Sequence, residues 1–326
     1  MNEPRVGIIG LGFMGRTHLA AYRAAGANVV AALDPTGTRP PAAGNLPSSD
    51  VDLAGVEVYR EASEFFAKAK LDAVSVCTPT DSHVSVSKAA LERGWHVLVE
   101  KPVALQAAAI RDLAKAAADA GRWCIPAMVM RYWPGWHCLR DCILDGRHGA
   151  LKSLAIERLG SAPQWNKEFF SDDTRSGGAM VDLHIHDTDY VYWCFGKPES
   201  VVTVGTTHQL TTIYRVGGPQ GPLISATGGW GQHPSFGFRM RYLANFERAT
   251  IEFDLAKGVT ISNDDGSRPL DCGLHNAYEQ QVRHFLRVLT GGEPPRATLE
   301  QAVVVAEILD LERQSMLSRA CGRWPK

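Results

Sequence analysis

Gly10-Leu11-Gly12-Phe13-Met14-Gly15 sets three glycines in the G-x-G-x-x-G spacing, directly after an apolar run and ahead of a helix-like stretch. Each position has a physical task. Gly10 permits a tight turn, Gly12 lets the main chain approach a pyrophosphate, and Gly15 lets helix and strand pack closely. The first helical turn, with Phe13 and Met14, offers unpaired N–H groups to phosphates. Asp34 ends the next apolar run, 19 residues beyond Gly15. Its carboxylate suits a ribose 2′-hydroxyl and repels a 2′-phosphate, so the spacing predicts NAD as cofactor. Arg39, in a loose Pro-rich stretch, is the residue that would serve NADP instead.

Three further segments carry groups able to move protons or hold ligands. Cys77-Thr78-Pro79 ends a third apolar run, with His83 shortly after, and Glu100-Lys101-Pro102 ends a fourth. In an open parallel sheet such carboxyl ends line the ligand crevice, where a nicotinamide would lie. The third segment runs from Ser176-Gly177-Gly178 through Asp182, His184, His186 and Asp189 to Trp193 and Gly196. His184 and His186, with the two acids, would form a metal site on a strand, where i and i+2 share a face. Met180–Trp193 reads as helix, where they do not, so no metal is expected. Cys138 and Cys142, with His137 and His148 nearby, match no zinc spacing, and seven scattered cysteines read as reduced thiols.

The elements that must position these groups fall into two textures. Up to about residue 123, short apolar strands (Val6–Ile9, Asn28–Asp34, Ala73–Thr78, His96–Lys101, Trp123–Val129) alternate with helix-like stretches. That pattern predicts an N-terminal α/β domain, residues 1–123, with a doubly wound parallel sheet of the Rossmann kind. The segment 35–55 is rich in Pro, Gly, Ser and Asp and predicts an irregular loop in place of a crossover helix. Residues 124–326 predict an α+β domain: a helix over Ala179–Phe195, then six strand-like runs between Ser200 and Asn263. Two closing helices follow, Asn276–Leu289 and Leu299–Ser318. Alternation in Arg239–Glu247 and Thr250–Leu255 predicts a large, mostly antiparallel sheet with flanking helices and one open face.

The combination of the glycine fingerprint, Thr78-Pro79-x-x-x-His83, Glu100-Lys101-Pro102 and the Gly-Gly…Asp182-x-x-x-His186 stretch resembles the Gfo/Idh/MocA family, the group of glucose-fructose oxidoreductase and inositol dehydrogenase. The resemblance runs over nearly the whole chain. It implies hydride transfer between NAD(P) and a secondary alcohol, usually on a sugar or cyclitol. It also implies Lys101, Asp182 and His186 as the catalytic residues. Their chemistry is compatible with that. Asp182 and His186 lie four apart, about 40° on a helical wheel, and so share a face. A neutral His accepts a hydroxyl proton, a carboxylate orients the ring or the substrate, and Lys101 stabilises negative charge on the oxygen. His184, about 160° away from His186, reads as structural. Arg131 and Trp165 are the candidate substrate contacts, since guanidinium groups bind hydroxyls or carboxylates and aromatic faces stack on sugar C–H groups. The rival readings are a non-catalytic dinucleotide-binding sensor of the same fold and a metal-dependent hydrolase using His184 and His186.

The composition narrows the partners. In 326 residues, 34 basic and 35 acidic side chains leave a formal charge of -1, so no field draws the chain to nucleic acid or an anionic membrane. No apolar run is long enough to span a bilayer, and the first residues lack the pattern of a secretory leader. A cytoplasmic protein is expected, with a small sugar- or cyclitol-like substrate. The open sheet face, shared with relatives that associate through it, predicts a homodimer or homotetramer.

Overall fold

The computed structural model describes residues 3–37, 52–163, 166–273 and 275–324. Six strands come first: β1 (Arg5–Ile9), β2 (Asn28–Leu33), β3 (Glu57–Tyr59), β4 (Ala73–Val76), β5 (His96–Val99) and β6 (Cys124–Pro126). They lie in the order β3-β2-β1-β4-β5-β6, and every pairing is parallel. The order reverses beside β1, the place where a doubly wound sheet opens its ligand crevice. Val6, Ile8, Val74, Val97 and Leu98 are at most 1% exposed, as a sheet covered on both faces demands. Four helices accompany the strands: α1 (Phe13–Ala24), α2 (Ala62–Lys68), α3 (His83–Glu92) and α4 (Ala107–Ala120). The edge strand β3 is an addition to the expected set. Its alternation, Val56-Glu57-Val58-Tyr59, is too short to stand out beside a Pro- and Ser-rich stretch. Of the irregular 35–55 segment, residues 38–51, Arg39 included, lie outside the described residues.

The second half opens with α5 (Pro134–Asp145) and β7 (Leu151–Leu159), followed by the single turns α6 (Lys167–Phe170) and α7 (Asp173–Ser176). The expected helix over Ala179–Phe195 is two helices, α8 (Gly178–Asp182) and α9 (Ile185–Phe195), parted at Leu183-His184. Eight more strands follow: β8 (Ser200–Thr206), β9 (Gln209–Arg215), β10 (Leu223–Gly229), β11 (Arg239–Phe246), β12 (Thr250–Asp254), β13 (Gly258–Asn263), β14 (Gly266–Pro269) and β15 (Gly322–Arg323). With β7 they form one sheet ordered β14-β13-β12-β11-β7-β10-β9-β8-β15, antiparallel except for the β7–β10 pair. One face is core: Leu154, Ile156, Met240, Tyr242, Ile224 and Ile251 are at most 3% exposed. The other face keeps the alternate residues. Its middle row runs Val202, Ile213, Ser225, Ala155, Leu243 in direct register. Although central, β7 is hard to see in the sequence, because Arg158 occupies an inward position and breaks the apolar alternation.

Two helices close the chain. In α10 (Ala277–Leu289) the Asn276 side chain caps the first turn, accepting the Tyr278 N–H at 2.9 Å and the Glu279 N–H at 3.2 Å, and α11 (Leu299–Ser318) comes last. Val282, Phe285 and Val288 of α10 join the core of Val6, Ile8, Leu19 and Tyr22. Arg283 ties the same helix to the carbonyls of Ala24 and Ala25, at 2.9 and 3.2 Å. The contacts accordingly divide the chain into Met1–Val129 with Gln164–Phe169 and Asn276–Val303, and Met130–Pro163 with Phe170–His275 and Val304–Lys326. A single cut after residue 123 does not describe this, because β6 completes the parallel sheet and α10 completes its core. Among the described residues no helix is long and apolar enough to cross a membrane.

Candidate active site

In the first unit the glycine turn is built as its spacing requires. Gly10 has φ +92°, and a side chain there would meet the Cys77 carbonyl oxygen at 2.7 Å. A Cβ on Gly15 would lie 1.8 Å from the Gly10 carbonyl oxygen, so only glycine lets α1 approach β1. Gly12, by contrast, faces open space, with nothing within 4 Å of a built Cβ. It stands at the helix N-cap without a side chain to satisfy the first-turn N–H groups, and Phe13 and Met14 beside it are half-buried. This turn fits a dinucleotide pyrophosphate, which needs close main-chain approach and free N–H groups. Asp34 closes the arrangement. It is 7% exposed; Oδ2 accepts the Leu11 N–H at 2.8 Å and Oδ1 the Thr36 N–H at 2.9 Å.

The segments after β4 and β5 lie at the same carboxyl edge of the sheet. Thr78 is half-buried and Pro79 exposed. His83 is 1% exposed, and each ring nitrogen faces a carbonyl oxygen: Nδ1 lies 2.8 Å from that of Pro102 and Nε2 2.8 Å from that of Thr78. Burial pulls this ring below its ordinary pKa, against the opposing pull of the two carbonyls. His83, expected at the cofactor, therefore sits between the Thr78 and Pro102 carbonyls, and as a neutral ring it donates to one of the two. Glu100 is 5% exposed and Lys101 half-buried.

In the second unit the chemistry-bearing stretch is anchored by buried ion pairs. Asp187, on α9, is held by Arg158 of β7 through Nη2 at 2.7 Å and Nε at 3.0 Å. Asp189 is held by Arg131 through Nη2 at 2.6 Å and Nε at 3.0 Å. His184 faces Glu312 of α11 at 3.2 Å, and Tyr214 bridges them, its hydroxyl 3.1 Å from His184 Nε2 and 2.8 Å from Glu312 Oε1. Thr188 donates to the same Glu312 oxygen at 3.0 Å. Burial opposes a charge on His184, but Glu312 more than offsets it and raises the pKa.

Exposure then singles out two residues. From Ser176 to Val191 only Asp182 and His186 are not buried. They do not share one continuous helix face, since Asp182 ends α8 and His186 is the second residue of α9. The His-x-His pair sits at a helix start, with His184 taken up by Glu312, which separates it from His186 as a ligand pair. Arg131, expected at the substrate, is 1% exposed and spent on Asp189. Trp165 lies outside the described residues. Sequence reasoning missed Arg158, Asp187 and Glu312; the signal available was a charged residue inside an otherwise apolar run.

This fold and turn define a dinucleotide-binding protein, and comparison with known proteins places it among NAD-binding oxidoreductases. A model described as "Oxidoreductase family, NAD-binding Rossmann fold" matches residues 4–128. The GFO/IDH/MocA C-terminal domain model matches residues 136–219. The chain is 32% identical over 314 residues to inositol 2-dehydrogenase of Rhizobium meliloti (strain 1021), covering 88% of this chain and 89% of that one. It is 26% identical over 329 residues to the rhizopine catabolism protein MocA of Rhizobium meliloti, covering 98% and 96%. Among solved structures it resembles a myo-inositol dehydrogenase from Corynebacterium glutamicum ATCC 13032, with TM-score 0.77, 20% identity and 100% coverage of both chains. The chain belongs to the Gfo/Idh/MocA family of oxidoreductases.

Proposed function

We propose that this oxidoreductase acts on a secondary alcohol of a sugar, cyclitol or sugar-derived compound, with His186 exchanging the proton of the reacting hydroxyl. The observation that carries the reading is the selective exposure of Asp182 and His186 in a stretch whose every other residue is buried. The glycine turn and Asp34 would hold NAD, which would supply the hydride acceptor or donor for the alcohol carbon. A neutral His186 imidazole accepts the hydroxyl proton in oxidation and returns it in reduction. Asp182 orients the substrate hydroxyls, and Lys101 stabilises negative charge on the reacting oxygen. The cofactor contacts are Gly10, Gly12, Phe13, Met14, Gly15, Asp34, Thr78, Pro79 and Lys101, with Glu100 and His83 behind them. The substrate class is supported by the inositol dehydrogenases among the relatives. A panel of sugars, cyclitols and sugar acids, assayed for NADH formation, tests it. Turnover on a polyol that His186→Ala abolishes supports the reading, and absence of turnover with every polyol favours a sensor.

The open face of the nine-stranded sheet supports self-association. Val202, Val204, Ile213 and Leu243 are 38%, 63%, 42% and 42% exposed on it, large apolar side chains that a partner's face would cover. A homodimer or homotetramer joined through that face is the assembly we propose.

A further inference from the structure

Lys101 is gripped through its main chain from both sides. Ahead of it, Glu100 divides its carboxylate: Oε2 accepts the Lys101 N–H at 3.0 Å, while Oε1 meets His18 Nε2 at 2.9 Å. Behind it, His83 Nδ1 lies 2.8 Å from the Pro102 carbonyl oxygen. His18 is 0% exposed and belongs to α1, the helix that begins at the glycine turn. Its second nitrogen lies 3.2 Å from Ser75 Oγ, which lies 3.0 Å from the Tyr22 hydroxyl. The ring is thus fixed in plane and rotation, and it presents one N–H to one carboxylate oxygen.

We propose that His18 is a positioning residue for Lys101, acting through Glu100. A buried carboxylate is costly without a partner, and it holds one rotamer only if both oxygens are engaged. His18 engages the first oxygen, leaving the second aimed at the Lys101 amide. Without His18, Glu100 is free to protonate or turn away, and the Lys101 main chain loses its anchor on that side. The arrangement also links the cofactor helix to the lysine by two side chains, His18 and Glu100, and one amide. A misplacement of about 1 Å is worth up to roughly 100-fold in rate, so the link has kinetic consequences. This inference rests on the role given to Lys101 above.

The test is a double-mutant cycle on the full chain, with His18→Gln and Lys101→Met made singly and together, using a substrate found in the panel. His18→Gln is expected to lower kcat about 10- to 100-fold and to move NAD affinity less than about twofold, and the double variant should be no slower than Lys101→Met alone. Penalties that multiply, or an unchanged kcat in His18→Gln, overturn the proposal. A normal kcat in Lys101→Met would sink the reading of Lys101 itself, and it shows in that arm alone. Hydrogen exchange reads the anchor without turnover: in His18→Gln the peptide over 96–103 should lose protection while β1 and β4 keep theirs. Equal loss throughout, or none at 96–103, overturns it. Should His18→Gln fail to fold, Glu100→Gln severs the same pair from the other end and is read the same way.

Discussion

The Asp34 carboxylate accepts the Leu11 N–H at 2.8 Å, so the acid that ends β2 also ties down the glycine turn ahead of α1. Asp34→Ala should therefore weaken NAD binding roughly tenfold or more, through the lost ribose contact and a loosened turn. Asp34→Asn keeps an acceptor for Leu11 but not the charge. It should hold the turn and lose only the discrimination against NADP. Titration of each variant with both cofactors separates the effects. A wild-type chain preferring NADP tenfold would refute this role for Asp34.

His186→Ala should cost about 10²–10⁴ in kcat, the usual span for a general base, with NAD affinity almost unchanged. Steady-state rates and a cofactor titration on one preparation check it. A near-normal rate would remove His186 from the reaction.

His184 has a different fate from its neighbour two residues on. His184→Ala would leave Glu312, 0% exposed, without its cation, and stranding a buried charge costs about 3–5 kcal/mol. Asp187→Asn strands Arg158 in the same way. Urea denaturation should show both losses, and Glu312→Gln should return part of the first. A denaturation midpoint unchanged in His184→Ala would show that the pair contributes little.

The pH dependence of stability has a defined sign. Burial works against a charge on His18, but its buried surroundings, the Glu100 carboxylate at 2.9 Å above all, prevail and push its pKa from 6.5 up to about 10. A group whose pKa is higher folded than unfolded stabilises fully below the unfolded value and loses that contribution as pH rises through the folded one. His184, also raised, acts in the same direction. Tm should decline between pH 6.5 and about 10, and His18→Gln should flatten the decline. A Tm that rises over this window contradicts the pairing.

Ile213→Asp and Leu243→Asp, each on the open sheet face, should shift the chain toward monomer with little change in Tm. Light scattering at micromolar concentration reads this directly. A wild-type chain already monomeric there would end the proposal.

The parallel sheet and the glycine turn were legible because their rules are local: period, turn glycines, and an acid at a set distance. The same locality explains the misses. The Leu183-His184 break hides inside an apolar stretch whose composition suits one long helix. Arg158 disguises β7, since an inward arginine makes sense only once Asp187 is placed 29 residues away. Arg131 looked available for a substrate until Asp189, 58 residues on, claimed it. His18 stands among Arg16, Thr17 and Arg23 on α1 with no motif to mark it, and its partner Glu100 lies 82 residues distant. Periodicity and motif spacing are silent about pairs at such separations.

The return of Asn276–Val303 to the first unit bears on how the protein is made. Val282, Phe285 and Val288 belong to the same core as β1 and α1, yet α10 follows α1 only after all the strands of the second sheet but β15. The nascent N-terminal region therefore leaves the ribosome with an apolar seam on α1 that stays open until α10 emerges. At about 5–20 residues per second, that interval is on the order of ten seconds or more. A chain cut short before α10 keeps that seam open, because no other segment supplies Val282, Phe285 and Val288 to the core.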